Sequence, residues 1–359
     1  MRFLERILDV IQSHLMIWIV ASVAAGLLVS YLTPGFGFSA LICLLAALVM
    51  IYPSLVPLSF DRLTEIVGHG RPVLFSLGLN FIVSPAIAYA IGSVFLSGFP
   101  EYRLGLTLLS LLPGGGMVTT WATRSKADMP ATVGIILANL AVAVLIVPLS
   151  FPILVRDSFL PGSDALPSVS ESSACPLGQA TAGVVTCGAA VSAGISPWKI
   201  AVPILFIVVV PAVLAWLTQR VLLRRGGIAL LDRAKVLFGK AGNAGLVIVL
   251  FVLMGLHANR EILTRPSDIL PAIVPVVLFY TALFLVAGFA AGRIADTAVR
   301  RAFFWGSSLR YLTLALGLSI SFAFQNPDML RMSVVVVLSY LVQIPASFRV
   351  AQRMRRAES

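Results

Sequence analysis

The chain has 359 residues, 59% of them apolar and only 11% charged, against roughly 25% charged in a soluble domain. That excludes an aqueous fold, because too little polar surface exists to cover the apolar content. The formal net charge of +11 would suit a polyanion if it were gathered on one domain. Instead Lys and Arg sit in short segments between apolar runs, which excludes nucleic acid as a partner and points to a lipid bilayer.

A spanning helix needs about 20 mainly apolar residues to cross about 30 Å of hydrocarbon. The first such run is 14–32; no small-residue cleavage site follows it, so it reads as a retained span. Further runs follow at 38–58, 72–97, 102–122 and 129–155, then at 197–219, 238–256, 269–290, 302–324 and 329–347. The fold class is therefore all-α integral membrane, with ten transmembrane helices, since lipid satisfies no free backbone group and no run alternates like a barrel strand. The organisation reads as a first five-span repeat at 1–155, an extracytoplasmic loop at 156–196 rich in Ser, Gly, Ala and Pro, a second five-span repeat at 197–348, and a cytoplasmic basic tail at 349–359.

Orientation follows from the basic residues. With the amino terminus inside, the outer segments hold Arg103, Arg156, Lys199, Arg260 and Arg265, and Arg310 and Arg331 lie within spans; the other 19 of the 26 Lys and Arg are inside. Both termini then face the cytoplasm across a plasma (inner) membrane. Five spans per half run the second half upside down relative to the first. Secondary carriers commonly use such inverted repeats, with the site at their interface near the bilayer midplane.

Sites of this kind use helices broken at mid-membrane. The fourth span carries Leu112-Pro113-Gly114-Gly115-Gly116-Met117, where proline removes a donor and three glycines make an ordinary helix costly. A kink for close packing is the plainer explanation, but four breakers in a row exceed what a kink needs. Thr119 and Thr120 follow directly. The ninth span, fourth in its half, carries Trp305-Gly306-Ser307-Ser308-Leu309-Arg310-Tyr311 and then Thr313. An Arg at the bilayer centre costs at least about 2.5–3.5 kcal/mol, so two readings stand. Either Arg310 faces a wet cavity and an anionic partner, or it lies near the inner interface and snorkels toward Arg300 and Arg301.

Asn80 in the third span, Asn139 in the fifth and Gln343 before Pro345 in the tenth each either coordinate a solute or bond a neighbouring helix. Cys43 reads as packing, whereas Cys175 and Cys187 share the outer segment, where an oxidising compartment predicts a disulfide. His14, His69 and His257 fall at span ends or in loops. No nucleotide-binding loop, phosphate cradle, paired catalytic carboxylates or metal cluster is present, so no cofactor and no ATP-driven step is expected of this chain alone.

Several stretches together resemble the bile acid:sodium symporter superfamily, and within it the arsenical-resistance branch of metalloid efflux permeases. They are MIYPSLV at 50–56, LNFIVSP at 79–85, PEYRLGLTLLSLLP at 100–113, MVTTW at 117–121 and VQIP at 342–345. The resemblance implies a ten-span carrier with its site at the broken fourth and ninth helices. Metalloid efflux members place a Cys after the proline of the fourth span, where this chain has Gly114, and an Asn after its Trp, where it has Ala122. Their Phe-Glu-Leu-Ala of the ninth span is Leu312-Thr313-Leu314-Ala315 here, so the thiolate suited to a metalloid and the carboxylate suited to a proton are both replaced. The sodium-coupled branch starts with Pro-Gly-Gly, matched by Pro113-Gly114-Gly115, but its Ser-Asn pair is Val118-Thr119. Hydroxyls and carbonyls of Thr119, Thr120, Ser307 and Ser308 remain for a hard cation.

Half-helix N-termini together with Arg310 make an electropositive site. They predict a secondary transporter of a small anion or oxyanion, coupled to Na+ or H+. Arsenite or antimonite efflux, implied by the resemblance, is the alternative, with the neutral hydroxide bonded by Thr and Ser rather than by thiolate. A membrane-embedded enzyme or sensor comes third, since neither a catalytic constellation nor a soluble domain supports it.

Overall fold

The computed structural model describes residues 8–11, 14–32, 52–53, 56, 70–159, 197–254, 269–323 and 331–356. Its elements are helices: α1 (Leu15–Leu32), α2 (Gly70–Gly78), α3 (Ser84–Phe95), α4 (Pro100–Leu111), α5 (Gly116–Arg124), α6 (Met129–Phe159), α7 (Pro197–Met254), α8 (Leu270–Ala291), α9 (Thr297–Ser308), α10 (Leu312–Ala323) and α11 (Met332–Arg356). Among the described residues no strand forms. Five segments are long and apolar enough to cross a membrane: Gly70–Phe95, Met129–Ser150, Val209–Val252, Leu270–Ala291 and Met332–Arg356. Large apolar side chains such as Leu74, Ile82, Val94, Leu149, Leu285 and Phe289 point outward and are exposed. In water that surface would be costly; in hydrocarbon it is the ordinary solvent-facing side.

Most expected runs that fall on described residues appear as helices with ends moved by a few residues, and their local irregularities have physical causes. The third run is one rod, but its middle, Leu79–Val83, is a π turn joining α2 to α3. Pro85 follows, and a residue without an N–H loosens the ladder there. The sixth and seventh runs, read as two spans with an inner connection, follow one another in α7, whose 58 residues comprise two helices that meet at a kink. At 1.5 Å per residue a straight helix of that size would reach nearly three times the hydrocarbon thickness. It is interrupted at Gly226 and Gly227, whose backbone is non-helical; Gly227 has φ of +64°, a conformation glycine adopts without steric cost. In the basic tail, 349–359, the described residues continue α11 as helix through Arg356. The second run and the loop at 156–196 lie largely outside the described residues, and so do Cys43, Cys175, Cys187 and the proposed disulfide.

The core gathers on α4, α6, α8, α9, α10 and α11. Every residue of α4 from Tyr102 to Leu111 is buried, as is every residue of α9 from Arg301 to Ser308. The two broken helices thus run through the middle of the molecule. Small residues allow the approach: a Cβ on Gly105 would stand 2.9 Å from the Met332 carbonyl, and one on Gly306 would stand 2.5 Å from the Ile135 side chain. Membrane helices pack through such small residues because lipid gives apolar surfaces little reason to associate otherwise.

Candidate solute site at the helix crossing

The fourth and ninth runs both lose helical geometry in mid-course, and the two breaks meet. α4 ends at Leu111, Leu112 is extended with φ −100° and ψ 97°, and α5 resumes at Gly116. α9 ends at Ser308, Leu309 is extended with φ −91° and ψ 149°, and α10 starts at Leu312. Pro113 and Arg310 face each other in an isolated antiparallel bridge, and the Tyr311 N–H donates to the Leu112 carbonyl at 3.2 Å. Backbone groups freed by breaking two helices therefore satisfy one another, as a lipid environment demands.

Glycine is required here by contact. A Cβ on Gly114 would lie 2.4 Å from Val118 and 3.1 Å from the Leu309 carbonyl, and one on Gly115 would lie 2.6 Å from the Tyr311 ring. Gly114 and Gly115 thus serve the passage of the other break as well as the breaking of their own helix.

Arg310 is 2% exposed, so its side chain does not snorkel to the surface; Arg301 is buried as well and donates to the carbonyls of Ser125 at 2.8 Å and Met354 at 3.3 Å. The Arg310 guanidinium is held by neutral oxygens. Nη2 donates to Asn80 Oδ1 and to the Ser307 carbonyl, both at 2.7 Å, and Nη1 donates to the Ser110 carbonyl at 3.1 Å. Nε is buried with no hydrogen-bond partner. Among the described residues no carboxylate lies within ion-pair distance of it. Gln343 grips its backbone from both sides: Oε1 accepts from the Arg310 N–H at 2.9 Å, and Nε2 donates to the Arg310 carbonyl at 3.3 Å.

Behind the guanidinium lies a buried polar network. Asn80 Nδ2 donates to Asn139 Oδ1 at 2.9 Å and to the Gly306 carbonyl at 3.2 Å; Asn139 Nδ2 donates to the Ile135 carbonyl at 2.8 Å. Ser76 Oγ accepts from Asn139 at 2.9 Å, from Asn80 at 3.3 Å and bonds Ser307 Oγ at 3.1 Å. Asn80, Asn139, Ser307, Arg310 and Gln343 therefore stand in one linked cluster. Ser76 is the member sequence reasoning missed; a serine in an apolar helix is too common to signal anything by itself.

In front of Arg310 lies a cavity of about 640 Å³. Gly115, Gly116, Thr119, Thr120, Thr313 and Arg310 line it, with Tyr311 and Leu312 of the second break. Its mouth carries Arg124, Asp232, Lys235 and Lys240; of these, Lys235 lies 3.9 Å from Asp232, and Lys240 pairs at 2.5 Å with Asp9. Thr119 Oγ1 donates to the Gly116 carbonyl, leaving its lone pairs open, while the hydroxyls of Ser308 and Thr313 are buried without partners. Pro113, Gly114 and Ser308 belong to the crossing itself and do not line the cavity. Among the described residues no group of His, Cys, Asp or Glu suits a metal ion.

Comparison with known sequences agrees with this architecture. The model of the Sodium Bile acid symporter family matches residues 41–264, more than half of the chain. The Arsenical-resistance protein Acr3 of Corynebacterium glutamicum is 30% identical over 138 residues, 36% of this chain and 37% of that protein. The Uncharacterized protein YbaS of Bacillus subtilis is 32% identical over 96 residues, 27% of this chain and 31% of that protein. The chain thus aligns with about a third of the length of these curated relatives.

Proposed function

The chain belongs to the sodium bile acid symporter family, and we propose that it is a secondary transporter carrying a small anion, an oxyanion or a carboxylate, through the cavity at the crossing. One observation carries the reading: a buried guanidinium with no carboxylate partner borders a cavity lined by glycine backbone and hydroxyls. An uncompensated charge in a low-dielectric interior is costly, and an anion in the adjoining space offsets it. The N-terminus of α5, at Gly116, opens on the same cavity, adding free N–H groups and a positive dipole end.

In this proposal the chain forms ten spans as two inverted five-span halves, 1–155 and 197–348, with both termini cytoplasmic at the plasma membrane. Arg124, Asp232, Lys235 and Lys240, which also line the cavity, then belong to its cytoplasmic side, and an H+ or Na+ gradient drives the carrier. Reporter fusions at Ser170 and at the carboxyl terminus test the topology. Labelling from opposite faces supports it, and labelling from one face removes the ten-span plan.

A second reading, arsenite or antimonite efflux, is favoured by the 30% identity to an arsenical-resistance protein and by the unpartnered hydroxyl of Thr313 on the cavity wall. Neutral metalloid hydroxides would bond Thr119, Thr120 and Thr313, with no need of the charge on Arg310. Transport into right-side-out and inverted vesicles, with arsenite, antimonite and a panel of organic acids under separate Na+ and pH gradients, separates the two. Saturable anion transport lost in Arg310→Ala supports the first reading. Metalloid transport that persists in Arg310→Ala supports the second.

A further inference from the structure

We infer that the Arg310 guanidinium is a built-in cation, filling an oxygen cage of the kind a carrier offers to a coupling sodium ion, so that this chain moves its solute without binding sodium there. The inference rests on the transporter reading. It concerns the cage behind the solute cavity, between Asn80, Ser110 and Ser307.

The cage has the chemistry of a cation site. Its three oxygens are neutral: two backbone carbonyls and one side-chain amide. Both carbonyls belong to helix ends, Ser110 to the last turn of α4 and Ser307 to the last turn of α9. Breaking a helix strips the last carbonyls of their N–H partners and leaves the negative end of the helix dipole there. Two such ends converge on one point, joined by Asn80 from the π turn at Leu79–Val83, a third interruption aimed at the same place. Broken carrier helices use these half-helix C-termini to coordinate Na+, while the N-terminal half-helices face the anionic solute. The division of labour is the same here, with α5 toward the cavity and α4 and α9 toward the guanidinium.

Sodium does not fit the cage as it stands. Its oxygens already accept from Arg310, and the Ser110 carbonyl accepts from Ser84 Oγ at 3.1 Å as well. The Arg310 backbone is fixed by Gln343 and by the bridge to Pro113, so the side chain is anchored at its root. A guanidinium stays protonated at any physiological pH and cannot leave with the solute. A cotransported ion would bring its charge and carry it across; Arg310 supplies the charge permanently and drops the stoichiometric link to the sodium gradient.

The test uses the full chain in lipid nanodiscs without any solute, so its outcome is independent of whether an anion is the cargo. Thermal unfolding is followed while NaCl replaces KCl at constant ionic strength, for the wild type, Arg310→Ala and Arg310→Gln. The expected result is an identical Tm in both salts for the wild type. Both variants should have a lower Tm in KCl and a saturable, Na+-selective recovery of several degrees, lost again on adding Asn80→Ala. Radioactive sodium should accordingly stay out of wild-type proteoliposomes. Saturable Na+-selective stabilisation of the wild type, removed by Asn80→Ala, would overturn the inference, because the cage would then hold sodium beside Arg310. Folded variants indifferent to sodium would overturn it too, reducing Arg310 to a structural clamp. If neither variant folds, the wild-type titration and the sodium flux decide alone.

Discussion

Between α4 and α5 the chain leaves the helix through Leu112, Pro113, Gly114 and Gly115, none of which offers a polar side chain, whereas between α9 and α10 it does so through Leu309, Arg310 and Tyr311, three large residues with no breaker among them. The first break is made by intrinsic preference, since proline cannot donate and glycine resists helix. The second is made by tertiary bonds: Gln343 takes both backbone groups of Arg310, and Leu112 takes the Tyr311 N–H. One segment supplies room and the other supplies chemistry. A crossing of two helices in lipid needs both, because each freed backbone group must find a partner in the protein.

That division can be broken on the side of chemistry first. Arg310→Ala leaves Asn80 Oδ1 and the Ser307 carbonyl without this donor, while the Ser110 carbonyl keeps Ser84 Oγ, and should cost about 1–3 kcal/mol for each acceptor left unsatisfied. Lowered Tm and lost anion transport would register it. Arg310→Lys keeps the charge but loses the planar fork that reaches Asn80 and two carbonyls together. Transport should fall about tenfold or more, corresponding to about 1.4 kcal/mol, with insertion into the membrane unchanged. Full transport by Arg310→Ala would show that the charge is not what the solute meets, and would favour the metalloid reading.

Breaking the side that supplies room should have a smaller effect on stability and still a large one on transport. Gly115→Val puts a branched side chain into the Tyr311 ring, where a bare Cβ would already stand at 2.6 Å. Overpacking of this kind costs about 1–3 kcal/mol, and the two breaks must separate to accept it. Beyond weakening its own helix, Gly115 lets the second break pass. A Gly115→Val chain that transports normally would show that the crossing tolerates separation.

The same contrast explains what could be read without coordinates. Local preference writes itself into sequence, so the Pro113–Gly116 run and the depth of Arg310 in an apolar segment were legible. In the ninth run the weak helix formers Gly306, Ser307 and Ser308 drew attention, yet all three are helical and the break follows them. Gly306 is there for packing against Ile135, and its carbonyl serves Asn80. Asn80 and Asn139 were ambiguous singly because each finds its role through a partner 59 residues away. The kink of α7 at Gly226 and Gly227 falls within the basic stretch between the sixth and seventh runs, where a connection was expected, though its neighbours on both sides are helical.

Ser76 offers the finest test, because it belongs to the chemical side but carries no charge. Its Oγ meets three groups, Asn139 Nδ2 at 2.9 Å, Ser307 Oγ at 3.1 Å and Asn80 Nδ2 at 3.3 Å. All three donate to it, and a hydroxyl has only two acceptor lone pairs, so the three bonds cannot all be strong, and the longest contributes least. Asn80 keeps its bonds to Asn139, to the Gly306 carbonyl and to Arg310 when Ser76 is removed. Ser76→Ala should therefore cost about 1 kcal/mol, the net value of a neutral hydrogen bond, and leave transport within a few-fold of wild type. Chemical denaturation alongside Arg310→Ala measures both changes on one scale. If Ser76→Ala proved as damaging as Arg310→Ala, the network would be acting as one unit, and the guanidinium would owe its position to the serine behind it rather than to the two helix ends.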